Sequence, residues 1–155
     1  MSDPADIRAW QRLSPDVTTS GRIEERDIAR LAAIGVRHVI NLAMADHPEA
    51  LGDEEAKLAV AGIGYTHIPV PFDAPEPSHY RAFATALQRA CKPVHVHCIA
   101  NFRVSAFFYL YHRQQGMDDA AAQSLMEQHW SPNTVDHPSS RVWGEWIRHM
   151  AGEQG

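Results

Sequence analysis

The order of apolar patterns along the chain is the feature that most constrains its fold. Short runs typical of strands, at residues 36–42, 65–70 and 94–97, alternate with segments whose apolar residues recur at helical spacing. Strands that alternate with helices are typical of a fold in which a mainly parallel sheet is covered by helices. We therefore predict a three-layer α/β fold with a central, mainly parallel sheet of about four to five strands flanked by helices.

Glycine, proline and capping residues set the expected ends of the elements. Residues 14–21 are predicted to form an edge strand. The segment from Pro71 to Pro77 is predicted to be irregular, because its prolines cannot donate backbone hydrogen bonds. Residues 130–133 are expected to form a break between helices. The predicted helices cover residues 4–12, 24–34, 54–61, 78–90 with Ser78 as cap, 104–115, 118–129, and a last helix capped by Ser139 or Ser140.

Length and charge limit the classes of protein to which the chain can belong. A chain of 155 residues can bury one sizeable core, so residues 1–155 are predicted to form a single domain. The net charge of -5 comes without a Lys/Arg stripe, which argues against a nucleic-acid partner. No window is long and apolar enough for a membrane span, and the N-terminus does not resemble a signal peptide. We expect no membrane association and a cytoplasmic location.

The acidic residues and the two cysteines are consistent with a cytoplasmic protein. The acidic excess at residues 46–55 is interpreted as a solvated loop and a helix start. Cys91 and Cys98 flank a predicted strand, which would hold their Cα atoms roughly 20 Å apart, beyond disulfide reach. Both are predicted to be free thiols, as in a reducing compartment.

Cys98 is the candidate with the most specific surroundings. It follows a predicted central strand and precedes a helix, the place where open α/β sheets bind their ligands. A helix N-terminus stabilises a thiolate and offers N–H groups to an anion. Arg103, in the first helical turn, can bind two oxygens of a tetrahedral anion. Together these groups predict phosphoryl transfer to sulfur.

Such a reaction also needs an acid to protonate the leaving oxygen. Asp73 is the first candidate, because it follows a neighbouring strand and lies on the same edge of the predicted sheet as Cys98. A turn-forming role for this aspartate explains its position equally well. Asp46 and Asp136 are weaker candidates for the acid.

The sequence VHVHCIANFR at residues 94–103 resembles the signature of the cysteine-dependent tyrosine and dual-specificity phosphatase superfamily. TTSGRIEERDIARLAAIGVRHVINL at 18–42 and GYTHIPVPFD at 64–73 look like the bacterial beta-lactamase-hydrolase-like branch of those phosphatases. The resemblance implies a protein-tyrosine-phosphatase-like fold with Cys98 as nucleophile, Arg103 as phosphate-binding arginine and Asp73 as general acid. It also implies that the loop at residues 99–103 binds the phosphoryl group, the residues being Ile99, Ala100, Asn101, Phe102 and Arg103.

The signature departs from the usual superfamily pattern in three places. Four residues separate Cys98 from Arg103 where five are usual, a spacing also common in rhodanese-type sulfurtransferases. Asn101 replaces the usual loop glycine and can still adopt positive φ. Val104 follows the arginine, so Ser105 either supplies the missing hydroxyl to the thiolate or only begins the helix.

The histidines of this segment have structural explanations too. His97 is expected to order the loop through hydrogen bonds, and His95 is interpreted as a core histidine with satisfied hydrogen bonds. Alternation along the strand directs both imidazoles to the face opposite Cys98. We therefore expect no metal site, and no cofactor is implied.

Three functions remain open at this point. A phosphomonoester hydrolase would act through a cysteinyl-phosphate on a phosphorylated protein or a small phosphomonoester. A rhodanese-like sulfurtransferase would carry a persulfide on Cys98. A non-catalytic module would bind inorganic phosphate or another oxyanion without turnover.

Overall fold

A five-stranded sheet forms the centre of the molecule. The computed structural model describes residues 2–131 and 138–154. The strands follow the order β1-β2-β5-β3-β4, and all neighbours run parallel except β1 and β2. Their bounds are β1 Gln11–Ser14, β2 Val17–Ser20, β3 His38–Asn41, β4 Gly64–His67 and β5 Val94–His97.

Helices cover both faces of this sheet. They are α1 Glu25–Ala33, α2 Glu54–Val60, α3 Pro77–Arg89, α4 Phe102–Gln114, α5 Asp119–Glu127 and α6 Pro138–Gln154. The predicted three-layer, mainly parallel α/β fold is therefore confirmed. None of the helices within residues 2–131 and 138–154 is both long enough and apolar enough to cross a membrane.

Alternation along the strands gives the sheet two different faces. Ile40 of β3 packs into a core cluster with side chains of α3, α4 and α6, whereas its neighbour Val39 packs with side chains of α1 and α2. On the central strand β5, Val94 and Val96 face the first cluster. The two histidines of β5 consequently point to the α1 and α2 side.

The N-terminal prediction is wrong. Residues 5–9 form turns and a bend, and Gln11 and Arg12 pair with β2 in an antiparallel hairpin. The apolar residues Ile7 and Trp10, which suggested a helix, instead pack against the α1 and α2 core. The predicted edge strand at 14–21 lies between β1 and β5, so β1 is the edge of the sheet on this side.

Two predicted helix caps are also wrong. The N-cap of α3 is Glu76 and not Ser78, because Pro77 occupies the first helical turn, where a missing N–H costs nothing. Helix α6 has begun by Pro138, so Ser139 and Ser140 lie inside its first turn. The predicted break at 130–133 runs into residues 132–137, which lie outside the described residues.

Candidate active site

The candidate site lies where β5 ends and α4 begins. Residues 94–97 are all buried, and the central position of β5 places Cys98 in the middle of the sheet's carboxyl edge. Asn101 precedes α4 with φ of 68°, in the left-handed region. Asparagine tolerates that region better than most residues, so the turn forms without the glycine usual in the superfamily.

A pocket of about 290 Å³ opens above this turn. Its buried members are Cys98, Ile99 and Arg103, and its less buried members come from three separate segments. The structure thus brings the predicted nucleophile and the predicted phosphate-binding arginine into one pocket. The residues that line it are Met44, His47, Phe72, Cys98, Ile99, Ala100, Phe102 and Arg103.

Arg103 is a buried cation whose donors are mostly unused. The residue is 5% exposed, and Nη1 donates to the backbone oxygen of Val70 at 3.0 Å. Its Nε is buried without a partner, and the described residues offer it no carboxylate. The guanidinium lies 5.5 Å from the centre of the Phe72 ring. A buried guanidinium in this state is poised to bind an anion.

The back of the loop is held by hydrogen bonds that face away from the pocket. The side-chain Nδ2 of Asn101 donates to the oxygen of Ala9 at 2.8 Å and to Oγ1 of Thr19 at 3.2 Å. Ser105 Oγ donates to Asn101 Oδ1 at 3.2 Å. Both side chains line a small cavity on the other side of the loop. In this structure the Ser105 hydroxyl therefore bonds to Asn101 and not to Cys98.

His97 connects the loop to α2. Its Nδ1 lies 3.0 Å from the backbone oxygen of Cys98, and its Nε2 lies 2.7 Å from Oε2 of Glu54. Both side chains are only 4% exposed. Sequence analysis assigned Glu54 to a solvated acidic segment, and that interpretation is wrong for this residue. The loop-ordering hydrogen bond expected of His97 is present.

His95 has the hydrogen bonds of a neutral imidazole. Ser20 Oγ donates to the oxygen of Gly21, so it accepts from His95 Nε2 at 2.8 Å. Thr18 Oγ1 then donates to His95 Nδ1 at 2.8 Å. Burial, followed by the positive charge of nearby His97, holds the pKa of His95 well below its usual value. This agrees with the interpretation of His95 as a satisfied core histidine.

Asp73 lies on an exposed turn beside the pocket. Its neighbour Phe72 lines the pocket, and the backbone oxygen of Phe72 accepts a hydrogen bond from Nε1 of Trp143. Asp73 is not among the described residues that line the pocket. Asp46 is likewise exposed, and Asp136 lies outside the described residues.

His47 and Met44 are pocket residues that sequence analysis missed. They lie in the segment that follows β3, and His47 Nδ1 accepts a hydrogen bond from the backbone N of Glu49 at 3.0 Å. Phe102 lines the pocket and also packs its ring near Phe72 and Trp130. The available signal for Met44 and His47 was their position just after a strand, at the carboxyl edge of the sheet.

The two cysteines are free thiols, as predicted, with Cys91 exposed and Cys98 buried. Within the described ranges, no group of three or more His, Cys, Asp or Glu side chains is placed to hold a metal ion. The site thus consists of a buried thiol, a buried guanidinium and a loop that follows a parallel strand.

Comparison with known proteins decides the family. Residues 7–114 match the family described as beta-lactamase hydrolase-like protein, phosphatase-like domain. The chain belongs to this family. The predicted phosphatase superfamily and its bacterial branch are therefore confirmed. No match was found among curated proteins.

Solved structures agree with this membership. A candidate phosphatase (DUF442) from Shewanella putrefaciens CN-32 has 31% sequence identity and a TM-score of 0.81, over 99% of this phosphatase-like chain and 97% of that one. TpbA from P. aeruginosa, in a complex with pTyr, has 20% identity and a TM-score of 0.73, over 99% and 93%. PTPMT1 in complex with PI(5)P has 18% identity and a TM-score of 0.68, over 94% and 99%. The last two show the fold alone, which is that of protein tyrosine phosphatases.

Proposed function

We propose that this phosphatase-like domain hydrolyses phosphomonoesters through a cysteinyl-phosphate on Cys98. The observation that carries the proposal is that Cys98 and Arg103, both buried, line one pocket in which the guanidinium has no carboxylate partner among the described residues. Family membership supports the same chemistry. Substrates are phosphorylated proteins or small phosphomonoesters, and inorganic phosphate is the product.

The reaction has two steps. The Cys98 thiolate attacks phosphorus, an S–P bond forms, and the P–O bond to the leaving group breaks while that oxygen takes a proton from Asp73. Water then attacks phosphorus and gives a proton to the Asp73 carboxylate, the S–P bond breaks, and inorganic phosphate and the thiolate are released. Backbone N–H groups of residues 99–103 and the Arg103 guanidinium stabilise the equatorial oxygens in both steps.

Replacement of the Cys98 thiol by a hydroxyl group tests the proposal. Cys98→Ser is expected to abolish turnover of p-nitrophenyl phosphate, because a serine hydroxyl is a much weaker nucleophile than a thiolate. Cys91→Ser is the matched control and is expected to retain full activity, since Cys91 is exposed and precedes β5, whereas the pocket lies beyond the other end of that strand.

A rapid-quench mass measurement on the wild type should show a phosphate adduct on the peptide that contains Cys98. Full activity in Cys98→Ser would contradict the proposal. Phosphate binding without turnover would favour a binding module. A sulfur adduct on Cys98 after incubation with thiosulfate, without aryl phosphate turnover, would favour sulfur transfer.

A further inference from the structure

The hydrogen-bonded pair of Glu54 and His97 is a second polar feature of the site, and the reaction steps above do not use it. It joins the first turn of α2 to the residue that precedes Cys98, across 43 positions of sequence. Ionisable side chains buried to this degree are costly to desolvate when charged, so their presence next to a nucleophile calls for an explanation.

The partners of His97 limit the positions of the protons that it shares with Glu54. A backbone carbonyl can only accept, so His97 Nδ1, at 3.0 Å from the oxygen of Cys98, must carry a proton. A carboxylate also only accepts, so an ionised Glu54 requires a second proton on Nε2. His97 is then an imidazolium that donates from both nitrogens.

His95 shows the opposite state two residues away. Its ring receives one hydrogen bond from Thr18 and donates one to Ser20, and both partners are hydroxyls. The two rings lie 6.3 Å apart. Two neighbouring cations in this interior would repel each other, so the carboxylate of Glu54 assigns the one positive charge to His97.

We propose that Glu54 is a positioning residue that acts on Cys98 through His97. It holds the His97 ring in place and keeps it doubly protonated, so that a fixed positive charge stands one residue before the sulfur. The inference deepens the proposed function and rests on the role of Cys98 as nucleophile. It assigns to α2 a part in the chemistry that its sequence does not suggest.

Other groups around His97 do not supply this charge. On β3 and β2 the register neighbours are Asn41 and Ser20, which do not titrate. On β4, Tyr65 accepts a hydrogen bond from Asn41, and burial raises the pKa of Tyr65 to about 12, so this phenol stays neutral at physiological pH. Apart from Cys98, the titratable side chains among the described residues for which a contact with His97 is seen are His95 and Glu54.

The test measures the thiolate directly and does not depend on turnover. In a Cys91→Ser background, alkylation of Cys98 by iodoacetamide is followed from pH 4 to pH 9. Glu54→Gln keeps the shape and a hydrogen-bond acceptor but removes the negative charge. We expect the midpoint of the alkylation profile to move up by about 1 pH unit, a tenfold lower thiolate fraction below the midpoint.

Glu55→Gln is the matched control, because Glu55 is the exposed neighbour on the same helix and should leave the midpoint unchanged. An unchanged midpoint in Glu54→Gln would overturn the inference and reduce the pair to a structural contact. With p-nitrophenyl phosphate, the expected loss in Glu54→Gln is in kcat, with KM preserved.

A second measurement needs no variant and covers the case in which Glu54→Gln does not fold. In ¹⁵N-labelled wild-type protein at neutral pH, His97 should show two ring N–H resonances, whereas a single one would overturn the inference. If the protein alkylates as expected but hydrolyses no phosphomonoester, the proposed function fails and the role of Glu54 stands. If it hydrolyses phosphomonoesters with an alkylation profile insensitive to Glu54, only the inference fails.

Discussion

The leaving oxygen needs a proton, and Asp73 and His47 are the two candidate donors next to the pocket. Asp73 is exposed on the turn beside Phe72, whereas His47 lines the pocket. Because His47 Nδ1 accepts from the N of Glu49, its ring offers only the Nε2 hydrogen of a neutral imidazole, which is a much weaker acid than a carboxyl group. Our proposal for Asp73 requires the turn at residues 72–73 to bring the carboxylate over the pocket.

Removal of the acid should lower kcat most for substrates with poor leaving groups. We expect Asp73→Asn to lower kcat for phenyl phosphate by about 10²-fold to 10⁴-fold, and to affect p-nitrophenyl phosphate much less. His47→Gln is the comparison variant, with steady-state kinetics on both substrates. A leaving-group-dependent loss in His47→Gln alone would assign the proton to His47.

The positions of residues close to Cys98 in the chain could be predicted from the sequence. Arg103 shares its loop and helix turn, so spacing alone was enough to predict that it joins Cys98 in one pocket. Glu54 and His47 reach the site from distant segments through tertiary packing. A glutamate in an acidic run looks solvated until the fold places a buried histidine opposite it.

At the scale of elements, α6 holds the turn that carries Asp73. Trp143 Nε1 donates to the backbone oxygen of Phe72, and the Trp143 ring also packs 6.0 Å from the Phe72 ring. Trp146, one turn further along α6, is also buried, but its Nε1 has no hydrogen-bond partner among the described residues. The two tryptophans are therefore a matched pair for substitution, since both are buried in α6 and only the Trp143 indole donates to Phe72.

Replacement of each by phenylalanine separates the hydrogen bond from ring volume. Trp143→Phe should lower kcat by up to about 10²-fold, because a displaced turn misplaces groups at the pocket. It should also lower the free energy of unfolding by about 1 kcal/mol more than Trp146→Phe does. Urea denaturation and aryl phosphate kinetics on both variants measure this. Equal losses in the two variants would show that the contact with Phe72 does not position the turn.

Elements defined by local signals were predicted well, and elements defined by pairing were not. Asp118 caps α5 through its side chain, as its sequence position suggested. By contrast, Gln11 and Arg12 are extended because they pair with Thr19 and Thr18. Apolar residues at helical spacing in this segment carried no information about that pairing, which is a tertiary effect.

At the scale of the whole molecule, the parallel topology followed from the alternation of strands and helices. The strand order did not, because it depends on which faces pack together. The central strand β5 carries apolar side chains to one core and histidines to the other side. Placing imidazoles in the interior gives the fold a dependence on pH that its composition does not reveal.

Burial is the main cause that lowers the pKa of four histidines, His38, His95, His112 and His129. Each is held neutral in the folded state, whereas the unfolded chain takes up a proton near pH 6.5. The stability that these four groups contribute is therefore complete above about pH 6.5 and falls as the pH is lowered, because the unfolded state then binds more protons.

The fully buried His95 should contribute most to this dependence, up to about 1.4 kcal/mol per pH unit below pH 6.5. Urea denaturation of the wild type at several values between pH 7.5 and pH 5 should show the free energy of unfolding decreasing. His95→Gln, which keeps polar atoms between Thr18 and Ser20 but does not titrate, should have a lower stability at pH 7.5 and a shallower slope. The aspartates whose pKa is lowered by arginine hydrogen bonds, Asp3 and Asp6, act at more acidic pH and leave this window unaffected. A slope as steep in His95→Gln as in the wild type would show that His95 is not held neutral by the folded state.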